Sequence, residues 1–67
     1  MRHFSRQEKH NLIFEQMREE GRTTTWMYLY ESEIARYTRK GYVILPHGIN
    51  PVRHNLIFCE VRLPSII

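Results

Sequence analysis

The sequence contains no aspartate and only one cysteine, Cys59, among its 67 residues. A single cysteine excludes a disulfide within the chain and is typical of a protein from a reducing compartment, so a cytoplasmic location is expected. The residues beside it are Phe58 and Glu60. An apolar neighbour of this kind favours a buried, unreactive thiol over a nucleophile.

Long apolar runs are also lacking. No stretch approaches the roughly 18 apolar residues of a membrane span, and no apolar core follows the charged N-terminus as it would in a signal peptide. We therefore expect no membrane contact. A chain of this length predicts one domain, spanning 1–67, which buries only about 60% of its unfolded surface. Such a small domain has little stability of its own, and a partner subunit would add to it.

Patterns for metal binding and catalysis are missing as well. The three glycines stand singly, so there is no glycine-rich phosphate loop. Cys59 and His54 are expected in one strand with their side chains on opposite faces. We expect no enzymatic activity, no metal and no cofactor. Zinc-site spacing is absent from all four histidines, which are His3, His10, His47 and His54.

Helix signals occupy two segments. Residues 5–8 have the form of a capping box, and apolar residues then recur on one helical face until Gly21, which predicts a helix over about 5–20. A shorter helix is predicted over 31–40. Its first turn holds acids, its last turn holds cations, and Gly41 follows.

Strand signals occupy three segments. Residues 23–30 are mostly β-branched or aromatic and predict a strand, although a helix over 24–40 also fits their apolar spacing. Residues 42–45 predict a strand that Pro46 ends, and 52–63 predict a final strand that pairs with it as an antiparallel hairpin. The expected fold is α+β in the order αβαββ, with a three-stranded sheet. Two helices plus a hairpin is the alternative if 24–40 is helical.

One pentapeptide, His-Asn-Leu-Ile-Phe, occurs twice, at 10–14 and at 54–58. A duplicated half-domain would make the first copy a strand too and give the order ββαββ. Context overrides the preferences of so short a segment routinely. Because the capping box precedes only the first copy and Pro51 only the second, one helical and one extended copy is the favoured interpretation.

Aromatic residues and cations are concentrated together. The only tryptophan and all four tyrosines lie within 26–42, three cations lie among them, and no acid occurs over 34–59. Aromatic faces beside Arg and Lys can stack bases and neutralise phosphates. The alternative is that Trp26 and Tyr37 are core residues and the cations a solvated rim. The candidate nucleic-acid-binding residues are Arg36, Arg39, Lys40, Arg53, Tyr37 and Tyr42, with Trp26 as a further stacking face.

Protein binding is the alternative function. A terminal strand over 52–63 would form a sheet edge open to strand addition or dimerisation, and an apolar tail follows it. Val61, Leu63 and Ile66 are the candidate interface of a compact inhibitor or adaptor, of the kind that mobile elements encode. A homodimer is compatible with either function. The sequence favours a small, basic, non-enzymatic regulatory protein that contacts nucleic acid through a basic and aromatic surface.

Overall fold

A computed structural model describes residues 3–64. The predicted order αβαββ and the α+β class are confirmed, so residues 24–30 are a strand and the two other topologies do not apply. No helix within these residues has the length and apolar character needed to cross a membrane. The elements are α1 (Arg6–Glu19), β1 (Thr24–Tyr30), α2 (Glu31–Arg39), β2 (Val43–Ile49) and β3 (Leu56–Arg62).

The C-terminal strand is the centre of the sheet. The strand order is β1-β3-β2, and both outer strands run antiparallel to β3. The predicted hairpin of the last two strands is therefore confirmed, but the expectation that the last strand forms an edge is wrong. β1 covers that edge along its whole length, from Thr24 opposite Arg62 to Tyr30 opposite Leu56.

Both ends of the hairpin differ from the prediction. β2 continues through Pro46 to Ile49, and pairing shifts between Pro46 and Gly48, which makes His47 the extra residue of a bulge. An edge strand tolerates a proline, because the missing N–H need not serve a neighbour. β3 begins at Leu56 rather than at residue 52. The intervening turn is held by Asn50, whose side-chain oxygen accepts from the N–H groups of residues 52 and 53 at 2.9 Å.

α1 begins at the predicted capping box. The Ser5 hydroxyl accepts from the Glu8 N–H at 3.1 Å, and the Glu8 carboxylate accepts from the Ser5 N–H at 3.3 Å. Gly21 follows with a φ of 72°, a conformation that favours glycine after a helix. The first pentapeptide copy lies within α1, whereas the second lies in the turn and in β3. The two copies thus differ in conformation, as expected without a duplication.

Both helices cover the same face of the sheet. Buried residues of the helices pack on alternate residues of the strands, which therefore point to one face. Cys59 is fully buried there, as predicted, and burial raises the pKa of its thiol. The core cluster consists of Phe14, Met17, Leu29, Tyr37, Cys59 and Val61.

Glu33 joins the two helices. Only 7% of this residue is exposed, and its carboxylate accepts from the Arg6 guanidinium at 2.8 and 3.1 Å and from the Tyr30 N–H at 2.9 Å. Burial alone would raise the pKa of Glu33. The hydrogen bonds from Arg6 and from the Tyr30 N–H outweigh burial and hold that pKa below its usual value of 4.5.

Replacing Glu33 should therefore destabilise the fold. Glu33→Ala leaves the Arg6 guanidinium and the Tyr30 N–H without their acceptor, and we expect the free energy of unfolding to fall by about 2–3 kcal/mol. Urea denaturation at neutral pH measures the change. Glu15→Ala, an exposed substitution on α1, is the control and should stay within about 0.5 kcal/mol. Equal losses in the two variants would contradict a special role for Glu33.

Candidate functional site

The predicted cations do not converge on one surface. Arg39 and Lys40 lie at the C-terminal end of α2, shortly before β2 begins. Arg53 lies in the turn after β2. The seven residues of β2 span about 20 Å, so Arg53 is at the opposite end of the sheet from the other two. Arg36 faces α1 and donates from Nη1 to Oε1 of Gln7 at 2.7 Å.

The two predicted tyrosines belong to the core. Tyr37 is 1% exposed, and its hydroxyl oxygen lies 2.8 Å from His10 Nδ1 and accepts from Gln7 Nε2 at 3.1 Å. Tyr42 is half-buried, with its ring 4.9 Å from that of Phe14 and 5.1 Å from that of Tyr37. Tyr37 therefore has no ring face open to a base, because the helices and the sheet enclose it.

The predicted protein interface is not an exposed strip either. Val61 is fully buried in the core cluster, and Leu63 is partly buried against it. The N–H of Leu63 donates to the Thr23 carbonyl at 2.9 Å. Ile66 lies outside the described residues. β3 is the central strand of the sheet, so both of its backbone edges are paired and neither is free for a protein partner.

A second sheet face is left uncovered by the helices, and we call it the outer face. Trp26 and Tyr28 lie there, 51% and 40% exposed, because the alternate residues Met27 and Leu29 take the inner positions. The core interpretation of Trp26 is therefore wrong. The outer face consists of Trp26, Tyr28, Val43, Leu45, His47, Phe58, Glu60 and Arg62.

Four rings of the outer face form an aromatic cluster, made of Trp26, Tyr28, His47 and Phe58. The Trp26 ring stacks on that of Phe58, with centroids 5.1 Å apart and planes 16° apart. Tyr28 contacts Phe58 at 5.0 Å, and His47 meets Trp26 edge-on at 4.7 Å. Phe58 lies on the central strand and contacts both rings of β1, whereas His47 of β2 contacts Trp26. The cluster can accept further flat rings on its exposed members.

Three arginines lie together at one end of the sheet. Arg18, Arg22 and Arg62 line a groove of about 570 Å³, which we call the arginine groove. It lies where β1 begins and β3 ends, and its wall also includes Val43 and Pro64. None of the three arginines was a candidate from the sequence. They come from α1, from the connection after it and from β3, so only the folded chain places them together.

A second polar cluster lies inside the protein, at His10, Glu33 and Tyr37. His10 is buried, with Nδ1 at 2.8 Å from the Tyr37 hydroxyl and 4.0 Å from Glu33 Oε2. Burial lowers the pKa of His10 more than the carboxylate of Glu33 raises it, and Arg6 lowers it further. Since Gln7 donates to the Tyr37 oxygen, the hydroxyl proton can be donated to Nδ1 of a neutral imidazole. This cluster links α1 to α2.

Buried polar groups are satisfied throughout the part of the chain that the structure describes. Over 3–64, no fully buried side-chain nitrogen or oxygen lacks a hydrogen-bond partner. Within the same range, no three histidine, cysteine or carboxylate groups are arranged to hold a metal ion.

Comparison with protein-family models, with curated proteins and with solved structures found no match to this chain. The aromatic cluster and the arginine groove are therefore the surface features from which a function is proposed.

Acidification should destabilise the protein below pH 6.5, the ordinary pKa of histidine. In that range the unfolded chain takes up a proton at His10 and the folded chain does not. The free energy of unfolding therefore decreases as the pH is lowered. A further loss should follow below pH 4.5, where the unfolded chain takes up a proton at Glu33 and the folded chain still resists it. Urea denaturation from about pH 7.5 to about pH 3 measures both steps.

Two histidine variants test the assignment of the first step. His10→Gln should flatten the stability profile below about pH 6.5, because it removes the buried titrating group. His54→Gln makes the same substitution at an exposed histidine in the turn and is the control. A slope that survives His10→Gln would assign the first step to another group.

Proposed function

We propose that this protein binds single-stranded nucleic acid on the outer face. Bases stack on the aromatic cluster, and phosphates contact the arginines at its end. The observation that supports this most directly is the exposure of Trp26 and Tyr28 side by side on an uncovered sheet. A chain of this size has little apolar surface to spare for its core. Large aromatic residues left in water on such a chain indicate a binding surface.

The geometry of the rings favours unpaired bases. Trp26 and Phe58 stack on each other, and Trp26 is half exposed, so its ring is open to a further stacking partner. A duplex offers base edges in its grooves, whereas a single strand offers whole base faces. Stacking on aromatic side chains tolerates many sequences, because every base has a π-face.

The charges near the outer face support the same function. Arg22 and Arg62 lie at the end of the sheet where β1 begins. Cations placed there can neutralise phosphates of a strand that crosses the sheet. Glu60 also lies on this face, 3.6 Å from Arg62. Its carboxylate can accept a hydrogen bond from the amino group of a base.

A protein partner is the competing occupant of the outer face. Val43 and Leu45 are apolar and exposed there, which is the observation that favours such a partner. An inhibitor or adaptor that docks through its C-terminal strand would need a free edge, and β3 has none. A second copy packed face to face would use the same rings as a nucleic acid. The two occupants can therefore be separated by one set of measurements.

Binding should be visible through Trp26, the only tryptophan. Unlabelled single-stranded DNA or RNA should quench its fluorescence, with an affinity that falls as salt is raised. Trp26→Ala should weaken binding to a labelled strand roughly 5- to 150-fold, the value of about 1–3 kcal/mol for one stacked base. Anisotropy of the labelled strand measures this loss. Leu12→Ala, which removes a residue 50% exposed on α1, is the matched control and should bind normally.

Three results would overturn the proposal. The first is a folded protein that binds no single strand at low salt. The second is a loss of binding in an Arg36/Arg39/Lys40→Ala variant but not in Trp26→Ala, which would move the contact to α2. The third is burial of Trp26 with rising protein concentration, together with a dimer in sedimentation, which would give the outer face to a second copy.

A further inference from the structure

The arginine groove is built by three separate parts of the chain. Arg18 comes from α1, Arg22 from the connection after it and Arg62 from the end of β3. Gly21, Thr23, Leu63 and Pro64 also line the groove. This end of the sheet therefore carries a groove, whereas the outer face with the aromatic cluster is open.

The guanidinium groups hold only weak partners among the described residues. Arg22 pairs with Glu20 at 3.1 Å and Arg62 with Glu60 at 3.6 Å, and all four side chains are partly exposed. Arg18 lies 3.5 Å from the Tyr42 hydroxyl. Each guanidinium has five N–H donors, so these contacts leave most of them for an anion. Exposed ion pairs contribute little stability and are readily exchanged.

The groove is about one nucleotide from the aromatic cluster. Arg62 lies opposite Thr24 and Val43 in the sheet, and Thr24 is two residues before Trp26. Two residues along a strand span about 6.5 Å. An anion among the arginines and a base on Trp26 therefore belong to the same nucleotide or to adjacent ones.

We propose that the arginine groove binds the terminal phosphate of a single strand, so that the protein prefers phosphorylated strand ends. A terminal phosphate monoester presents three free oxygens and a charge of about −1.5 to −2, which suit three arginines. An internal phosphodiester has only two free oxygens and a single negative charge, so it uses the donors of three arginines less fully.

The inference rests on the proposed function and deepens it. The test uses one short strand in three forms: with a 5′-phosphate, with a 3′-phosphate, and with hydroxyl groups at both ends. We expect one phosphorylated form to bind about ten times tighter than the hydroxyl form, a factor that corresponds to about 1.4 kcal/mol. The preference should shrink below about pH 6, where the terminal phosphate loses its second charge.

Two arginine variants and one control locate the effect. Arg22→Gln and Arg62→Gln should each remove most of the preference for the phosphorylated end. Their residual binding of the hydroxyl form shows that they are folded. Arg53→Gln makes the same charge change at the opposite end of the sheet and should keep the full preference. A preference that survives both groove variants would overturn the inference.

Two further outcomes bear on the ligand itself. Equal binding of the three forms would overturn the terminal-phosphate site and leave the proposed function standing, whereas binding of none would overturn the proposed function.

A competition experiment distinguishes binding of a strand end from binding of free phosphate. A mononucleotide should displace the phosphorylated strand at lower concentration than inorganic phosphate does, because its base also contacts Trp26. Equal potency of the two competitors would overturn the assignment to a strand end.

Discussion

The carboxylate of Glu33 is the contact on which the arrangement of the protein depends. It accepts from Arg6 of α1 and from the Tyr30 N–H at the start of α2. α2 begins directly after β1, with no connecting residue, so this cap sets the direction in which the chain leaves the sheet. Arg6 also donates to the Tyr28 carbonyl at 3.1 Å. One ion pair thus holds α1, α2 and the end of β1 together on the inner face.

Because both helices pack on one face of the sheet, its inner face is buried and its outer face is exposed. Residues such as Leu29 and Cys59 bury the inner face and supply the core. Their neighbours Tyr28 and Phe58 then point outward, because successive side chains of a strand alternate. The same alternation that builds a small core therefore creates an exposed aromatic surface. The core and the exposed aromatic surface therefore lie on opposite sides of a single layer.

Local signals in the sequence were sufficient for the elements and their order. The capping box at residue 5 predicted where the first helix begins, and the glycine after each helix predicted where that helix ends. The sequence left Trp26 open between a stacking face and the core, and strand alternation with Met27 and Leu29 is the signal that places it on the outer face. Strand order could not be predicted, because it depends on contacts between residues far apart in the chain. The arginine groove depends on that order and was missed for the same reason.

The irregular backbone of β2 affects how readily a further strand can pair with that edge of the sheet. Exposed aromatic and apolar side chains make a small β-sheet protein prone to add strands at its edges and to form fibrils. Pro46 has no N–H to offer and the bulge at His47 breaks the regular pairing of that edge. On the opposite edge, Arg6 occupies the Tyr28 carbonyl. The outer face is therefore open to solvent, while both edges of the sheet carry features that disfavour the pairing of a further strand.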